Sequence, residues 1–277
     1  MTNSPHIIAL SLALLIFTLQ AVAFLGWGKG TTRLLGIQRH EDNHITLSIW
    51  IGWASSLSIF QAINLFLPLT AIVVIPVFLA GIGMAIPGII RGYRGQTGRL
   101  SRQKLLIFSV VIVGVLLVSG WVASRSMLPP MNYDSGLYHF NKIRWINSFP
   151  TVPGLGNLHG RLAFNQSFFT YVGALNFSPL LGHGRCVANS FLFLLTLATF
   201  IDLLSPVFNR PAMLAQAHPF QYVPIILLFP ALGSLAFFSN GLASPSPDLT
   251  SALLQLTMFI VLAHVLGERQ KGQTNQD

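Results

Sequence analysis

The chain has 277 residues, 52% of them hydrophobic and only 8% charged; soluble domains carry roughly 25% charged residues, so an ordinary soluble globule is excluded and an all-α integral membrane protein is indicated. A net charge of +9 reads as basic loops at a membrane surface, with anionic lipid as their counterpart and no nucleic-acid partner. One cysteine, Cys186, excludes an internal disulfide framework.

Apolar stretches long enough to cross a hydrocarbon core fall near 7–27, 46–66, 69–90, 104–124, 186–206, 220–238 and 249–267. They predict about seven transmembrane helices. The first lacks the basic n-region of a cleavable signal and is read as a helix that stays in the protein. "LPLT" (67–70) leaves room only for a tight hairpin between the second and third. Pro76, Pro87, Pro224 and Pro230 fall inside spans and predict kinks, which bundled membrane helices tolerate. The chain divides into a three-helix membrane region (1–103), a membrane core with a long loop at 125–185 (104–267), and a polar tail (268–277).

Lysine and arginine counts set the orientation. Eleven of the sixteen cations, including Lys29, Arg33, Arg39, Arg91, Arg94, Arg210 and Arg269, lie on one side of a seven-span arrangement. The positive-inside rule then places the carboxy terminus in the cytoplasm, with the amino terminus and the 125–185 loop outside.

That loop is longer than a connection requires, and loops of such length are usually functional. From Asp134 to Phe149 it reads as a helix, with Leu137, Phe140, Ile143 and Ile146 at every third position. It is expected to lie at the membrane interface, aromatics in the boundary and cations toward headgroups. "PTVPGLGNLHG" is a turn-rich break. "LAFNQSFFTYVGALNF" is a second apolar segment, read as interfacial or re-entrant.

Of seven acids in the chain, only Asp134 and Asp248 face outward in this topology. Both precede helical patterns, where Asp is a favoured N-cap; carboxylates at a membrane boundary are also often functional. Lys142, Arg144, Arg161 and Arg185 suit headgroups or, through an Arg fork, a lipid-linked phosphate. His139 and His159 lack metal-ligand spacing.

Asp134, Tyr138, "IRWINSF", Val152-Pro153, "GLGNLHGR" and "FNQSFFTYVGAL" together resemble the first external loop of the GT-C superfamily of polytopic glycosyltransferases, which includes protein O-mannosyltransferases and aminoarabinose transferases. Asp248, in "SPDLTSALLQLTMFIVLA", is similar to that family's acid at the external start of a later helix. The resemblance covers about 104–267. Ser135 stands where many members carry a second acid, "GRLAFNQS" replaces a basic-Pro-Pro stretch, and three spans instead of one precede the helix that feeds the loop. Complete members are also longer, which implies a truncated or N-terminal portion, with a second chain as a candidate to complete the bundle.

The resemblance implies inverting transfer of a sugar from a polyprenyl-phosphate donor to an acceptor at the outer face of a bacterial inner membrane. Asp134 would be the base. Asp248, Tyr138, His139, Lys142, Arg144, His159 and Arg161 would bind substrate. No cofactor is called for, and a divalent metal stays open. The alternative is a non-catalytic membrane protein that binds or flips lipid-linked intermediates with the same basic loop. A proton-coupled transporter is disfavoured, because no charged residue falls mid-span.

Overall fold

In a computed structural model of the chain, residues 4–37, 44–95, 102–164, 166–180, 182–209 and 240–274 are described, and every regular element among them is helical. In order these are α1 (Ser4–Leu34), α2 (Ile45–Asn64), α3 (Ala71–Gly95), α4 (Arg102–Ser126), a π-helical turn (Ser135–His139), α5 (Phe140–Ser148), two 3₁₀ turns (Leu155–Asn157, Gly160–Ala163), α6 (Phe168–Leu175), α7 (Arg185–Asn209) and α8 (Pro247–Thr274). Six of them, α1 to α4, α7 and α8, are long and apolar enough to cross a membrane. The protein is a helical, multi-pass membrane protein. The expected span at 220–238, with Pro224, Pro230 and the loop cation Arg210, lies outside the described residues.

Helix α1 runs further than its apolar stretch suggested, so Lys29 and Arg33 belong to its last turns and not to a loop. The reason is packing. "GWGKG" looks like a helix breaker in sequence, since each glycine costs about 1 kcal/mol in an isolated helix. Here a Cβ on Gly28 would meet the Ser48 carbonyl oxygen at 1.7 Å, one on Gly52 would meet that of Phe24 at 1.7 Å, and one on Gly26 that of Gly81 at 1.8 Å. The glycines let α1 approach α2 and α3 backbone to backbone, as small residues do in membrane helix pairs. Helix α3 continues through both Pro76 and Pro87.

Helix α7 is the central strut: 72% of its span is buried, against 17% for α3 and α4. The outward faces of α3 and α4, with Ile72, Val110 and Leu117 exposed, are apolar surfaces suited to lipid. Polar bridges join the buried faces. Trp27 Nε1 donates to the Val77 carbonyl at 2.9 Å, Trp50 Nε1 donates to Thr199 Oγ1 at 3.0 Å, and Tyr171 Oη donates to Gln20.

The 127–184 connection gathers at one end of the bundle. Leu69 of the α2–α3 hairpin donates its N–H to Ile146 O (2.9 Å), and Thr151 N–H donates to Asn64 O (2.7 Å). Asn147 Nδ2 donates to the carbonyls of Leu69 and Gly173, both at 2.8 Å. The apolar stripe of α5 is therefore occupied by protein: Ile143 and Ile146 are buried, where the sequence suggested contact with the bilayer boundary. Every residue of α6 is buried; at 1.5 Å per residue its eight residues reach only about 12 Å, far short of a roughly 30 Å core. At the opposite end, Asp202 of α7 accepts from Thr46 Oγ1 (2.7 Å) and approaches His44 (3.3 Å), whose ring meets His264 of α8 edge-on.

Candidate functional site

The site is built where α4 feeds the connection. Five residues, Ser135–His139, form a π turn in which Phe140 N–H bonds back to Ser135 O. Such single π turns are common at functional sites. The turn buries Tyr138 and His139 side by side, ring centroids 4.4 Å apart, over Phe169 of α6.

A second segment packs onto this turn. Ser135 Oγ lies 2.6 Å from Ser244 Oγ, both fully buried. An acid at position 135 would be buried against that hydroxyl, a costly place for a charge, and serine fits it. Asn189 of α7 grips the same segment: its Nδ2 donates to the carbonyls of Gly241 (3.3 Å), Ser244 (2.9 Å) and Ser246 (3.0 Å), and its Oδ1 accepts from Thr250 Oγ1 (2.6 Å). Arg185, which the sequence offered as a headgroup or phosphate cation, ties Ala243 O to Ser126 O and Leu128 O at the end of α4. Its charge is engaged in joining these segments.

Neither Asp134 nor Asp248 caps its helix. Asp134 precedes the π turn but makes no side-chain cap; its backbone N–H is held by Asn132 Oδ1 at 2.9 Å, and its carboxylate pairs with Arg161. At the start of α8 the backbone N–H of Asp248 is held by Ser246 Oγ, and the Asp248 carboxylate accepts from the same hydroxyl at 2.7 Å. The Asp248 side chain is exposed, and that of Asp134 is partly exposed beside Arg161. A cleft of about 290 Å³ is lined by Asn132, Met131, Ser246, Asp248 and Leu249, so the residue that holds the Asp134 backbone shares a wall with Asp248.

The charges of both acids act on the buried Tyr138–His139 pair. Burial raises the Tyr138 hydroxyl above its ordinary pKa, and the charges of Asp134 and then Asp248 raise it further, with Arg161 opposing. Burial lowers the pKa of His139; Asp134 and Asp248 oppose that shift, and Arg161 adds to it. His139 is 1% exposed, and its Nδ1 has no partner. The Arg161 guanidinium stands over the Tyr138 ring at 5.6 Å while it holds Asp134, an arrangement that adds cation–π attraction to an ion pair.

The structure therefore brings Asp134, Tyr138, His139 and Arg161 together and sets Asp248 within their field. His159 is exposed, and its Nδ1 accepts from Arg161 N–H at 3.3 Å, so it positions the turn that carries Arg161. Arg144 is exposed on α5. Lys142 lies elsewhere: its Nζ donates to Leu162 O at 2.7 Å and lines a different cavity. Sequence reasoning passed over Asn132, Ser244, Ser246 and Asn189 as site-building residues; Asn189, a polar residue inside an apolar span, was the readable signal. Among the described residues, no group of three or more His, Cys, Asp or Glu is placed to hold a metal ion.

A family model described as "Domain of unknown function (DUF8201)" matches residues 10–276. No curated protein and no solved structure matches the chain.

Proposed function

We propose that this chain, which belongs to the DUF8201 family over nearly its whole length, is a membrane glycosyltransferase that moves a sugar from a polyprenyl-phosphate donor to an acceptor hydroxyl at the outer face of a bacterial inner membrane. The reaction class comes from the resemblance to the GT-C superfamily. The observation that supports it here is geometric: Arg161 pairs with Asp134 while standing over Tyr138, and the Ser135–Ser244 contact brings the segment that leads to Asp248 onto the same turn.

In this reading the acceptor oxygen attacks the anomeric carbon, the bond to the phosphate oxygen breaks, and the acceptor proton passes to the Asp134 carboxylate. The leaving prenyl phosphate keeps the bonding electron pair, and Arg161 stabilises its developing charge. Donor phosphate and Asp134 compete for the same guanidinium, so donor binding frees the base. Asp248 orients the acceptor. His139, buried against Tyr138 and Phe169, positions the turn that follows Asp134.

The seven-span topology belongs to the same proposal. Helix α7 starts beside the site and ends near Asp202, while α8 starts again beside the site. The placement of these two helix ends supports the crossing read from the sequence at 220–238. With it, the cation count puts the site outside.

The test is transfer of radiolabelled sugar from a synthetic polyprenyl-phosphate donor by full-length protein in nanodiscs. A positioned base contributes about 10²- to 10⁴-fold, and Asp134→Asn is expected to lose that much. Full activity of Asp134→Asn at equal abundance would falsify the assignment. A second reading, binding or flipping of lipid-linked intermediates without transfer, draws support from the engagement of Asp134 by Arg161; donor binding with no product from the unaltered chain selects it.

A further inference from the structure

A cavity of about 610 Å³ lies apart from the two acids, between the outer end of α2, one face of α5 and the 150–170 segment. Its size falls within the range of small-molecule sites, roughly 300–1,000 Å³. Trp145 and Phe149 provide an apolar wall, their rings tilted and 5.0 Å apart. Gln61, Asn64, Asn157 and Thr170 contribute amides and a hydroxyl.

Two side chains there are incompletely satisfied. The Gln166 carboxamide lines the cavity, and its buried Oε1 has no hydrogen-bond partner. A buried amide oxygen left so is costly, and a ligand hydroxyl would supply its missing donor. Lys142 gives one hydrogen bond, to Leu162 O, while an ammonium carries three donors. Burial lowers its pKa, and an anion beside it would oppose that shift. Among the described residues lining the cavity none is acidic. The ammonium therefore lacks a counter-charge within the cavity.

We propose that this cavity is a second binding site, for a hydroxylated organic anion of monosaccharide to disaccharide size: its anionic group on Lys142, a hydroxyl on Gln166, and its carbon skeleton along Trp145. The site does not depend on any chemistry at Asp134. The anion comes either as a free sugar phosphate or sugar acid, or as a hydroxylated anionic lipid headgroup.

The experiment uses full-length protein in phosphatidylcholine nanodiscs and reads tryptophan fluorescence, with Trp145→Phe to isolate the reporter. Glucose 6-phosphate and glucuronate are titrated as soluble probes, glucose and inorganic phosphate as half-probes; a parallel set of discs contains phosphatidylinositol. Saturable quenching by a soluble probe, at least tenfold tighter than by glucose or phosphate alone, identifies a free ligand. A change only in phosphatidylinositol discs identifies a headgroup. Either response must be lost in Trp145→Phe and weakened about tenfold or more by both Lys142→Met and Gln166→Leu. Two variants guard against one misfolding, and Lys142→Arg, which keeps the charge, is expected to retain most of the binding. Absence of quenching in every arm, or quenching unchanged in Lys142→Met and Gln166→Leu, overturns the site. Loss of sugar transfer in Asp134→Asn leaves this binding intact, so the two readings fail separately.

Discussion

Asn189→Leu is the sharpest probe of how the site is assembled. Asn189 is fully buried on α7 and makes three contacts of 3.0 Å or less, to Ser244 O, Ser246 O and Thr250 Oγ1, with a longer one to Gly241 O. At about 1 kcal/mol for each of the three short bonds, their loss costs about 3 kcal/mol. Interhelical bonds measured within membranes average about 0.6 kcal/mol, which sets a floor of roughly 2 kcal/mol. The leucine also leaves carbonyls facing an apolar side chain, so the upper figure is the better expectation. For a domain of this size that is a Tm lowered by roughly 6–12 °C. Cys186, the single cysteine and buried, gives a direct assay: a thiol-reactive dye reports its exposure as the bundle opens on heating. Thr250→Val removes one of the bonds and is expected to cost about 1 kcal/mol. Ranking matters as much as size. If Asn189→Leu melts within about 2 °C of the unaltered chain, or no lower than Thr250→Val, then α7 does not hold the 240–246 segment and the account of how Asp248 reaches the site is wrong.

Three other expectations follow from specific contacts. Burial holds His139 below its ordinary pKa of 6.5 in the folded chain, so the unfolded chain binds this proton first; stability contributed by neutral His139 is present above about pH 6.5 and is lost as pH falls through that value. Thermal melts from pH 7.5 to 5 should show this acid loss, flattened in His139→Gln; an equal slope in both would remove His139 as its source. Gly52→Leu drives a side chain into the Phe24 carbonyl and is expected to cost at least the 1–3 kcal/mol typical of overpacking, seen as a lower Tm, whereas Gly83→Ala, which meets nothing within 4 Å, should stay within about 1 kcal/mol of the unaltered chain. In a Cys186→Ala background, Leu158→Cys should react with an impermeant thiol reagent applied outside cells and Ile37→Cys only after permeabilisation, since both positions are exposed and lie at opposite ends of the bundle; the reverse pattern would invert the orientation.

The spans at 46–66, 69–90 and 104–124 were legible because about twenty consecutive apolar residues have few other fates. The tight hairpin at "LPLT" followed from its length alone. The start of the 134–149 helix was also visible, from apolar residues at every third position. What periodicity could not say was what that stripe touches: Ile143 and Ile146 meet protein, and an apolar face looks the same whether lipid or a neighbouring helix covers it.

Composition and charge pattern by themselves determined that this chain is a helical membrane protein with one long, chemically rich connection, because those properties rest on local hydropathy and length. Tertiary structure alone decided that neither Asp134 nor Asp248 caps its helix, that Arg161 and not Arg185 pairs with Asp134, and that Lys142 belongs to another cavity. Each of these depends on contacts between segments far apart in the chain. A side chain's charge is written in the sequence; the partner that uses it is fixed only when the helices close.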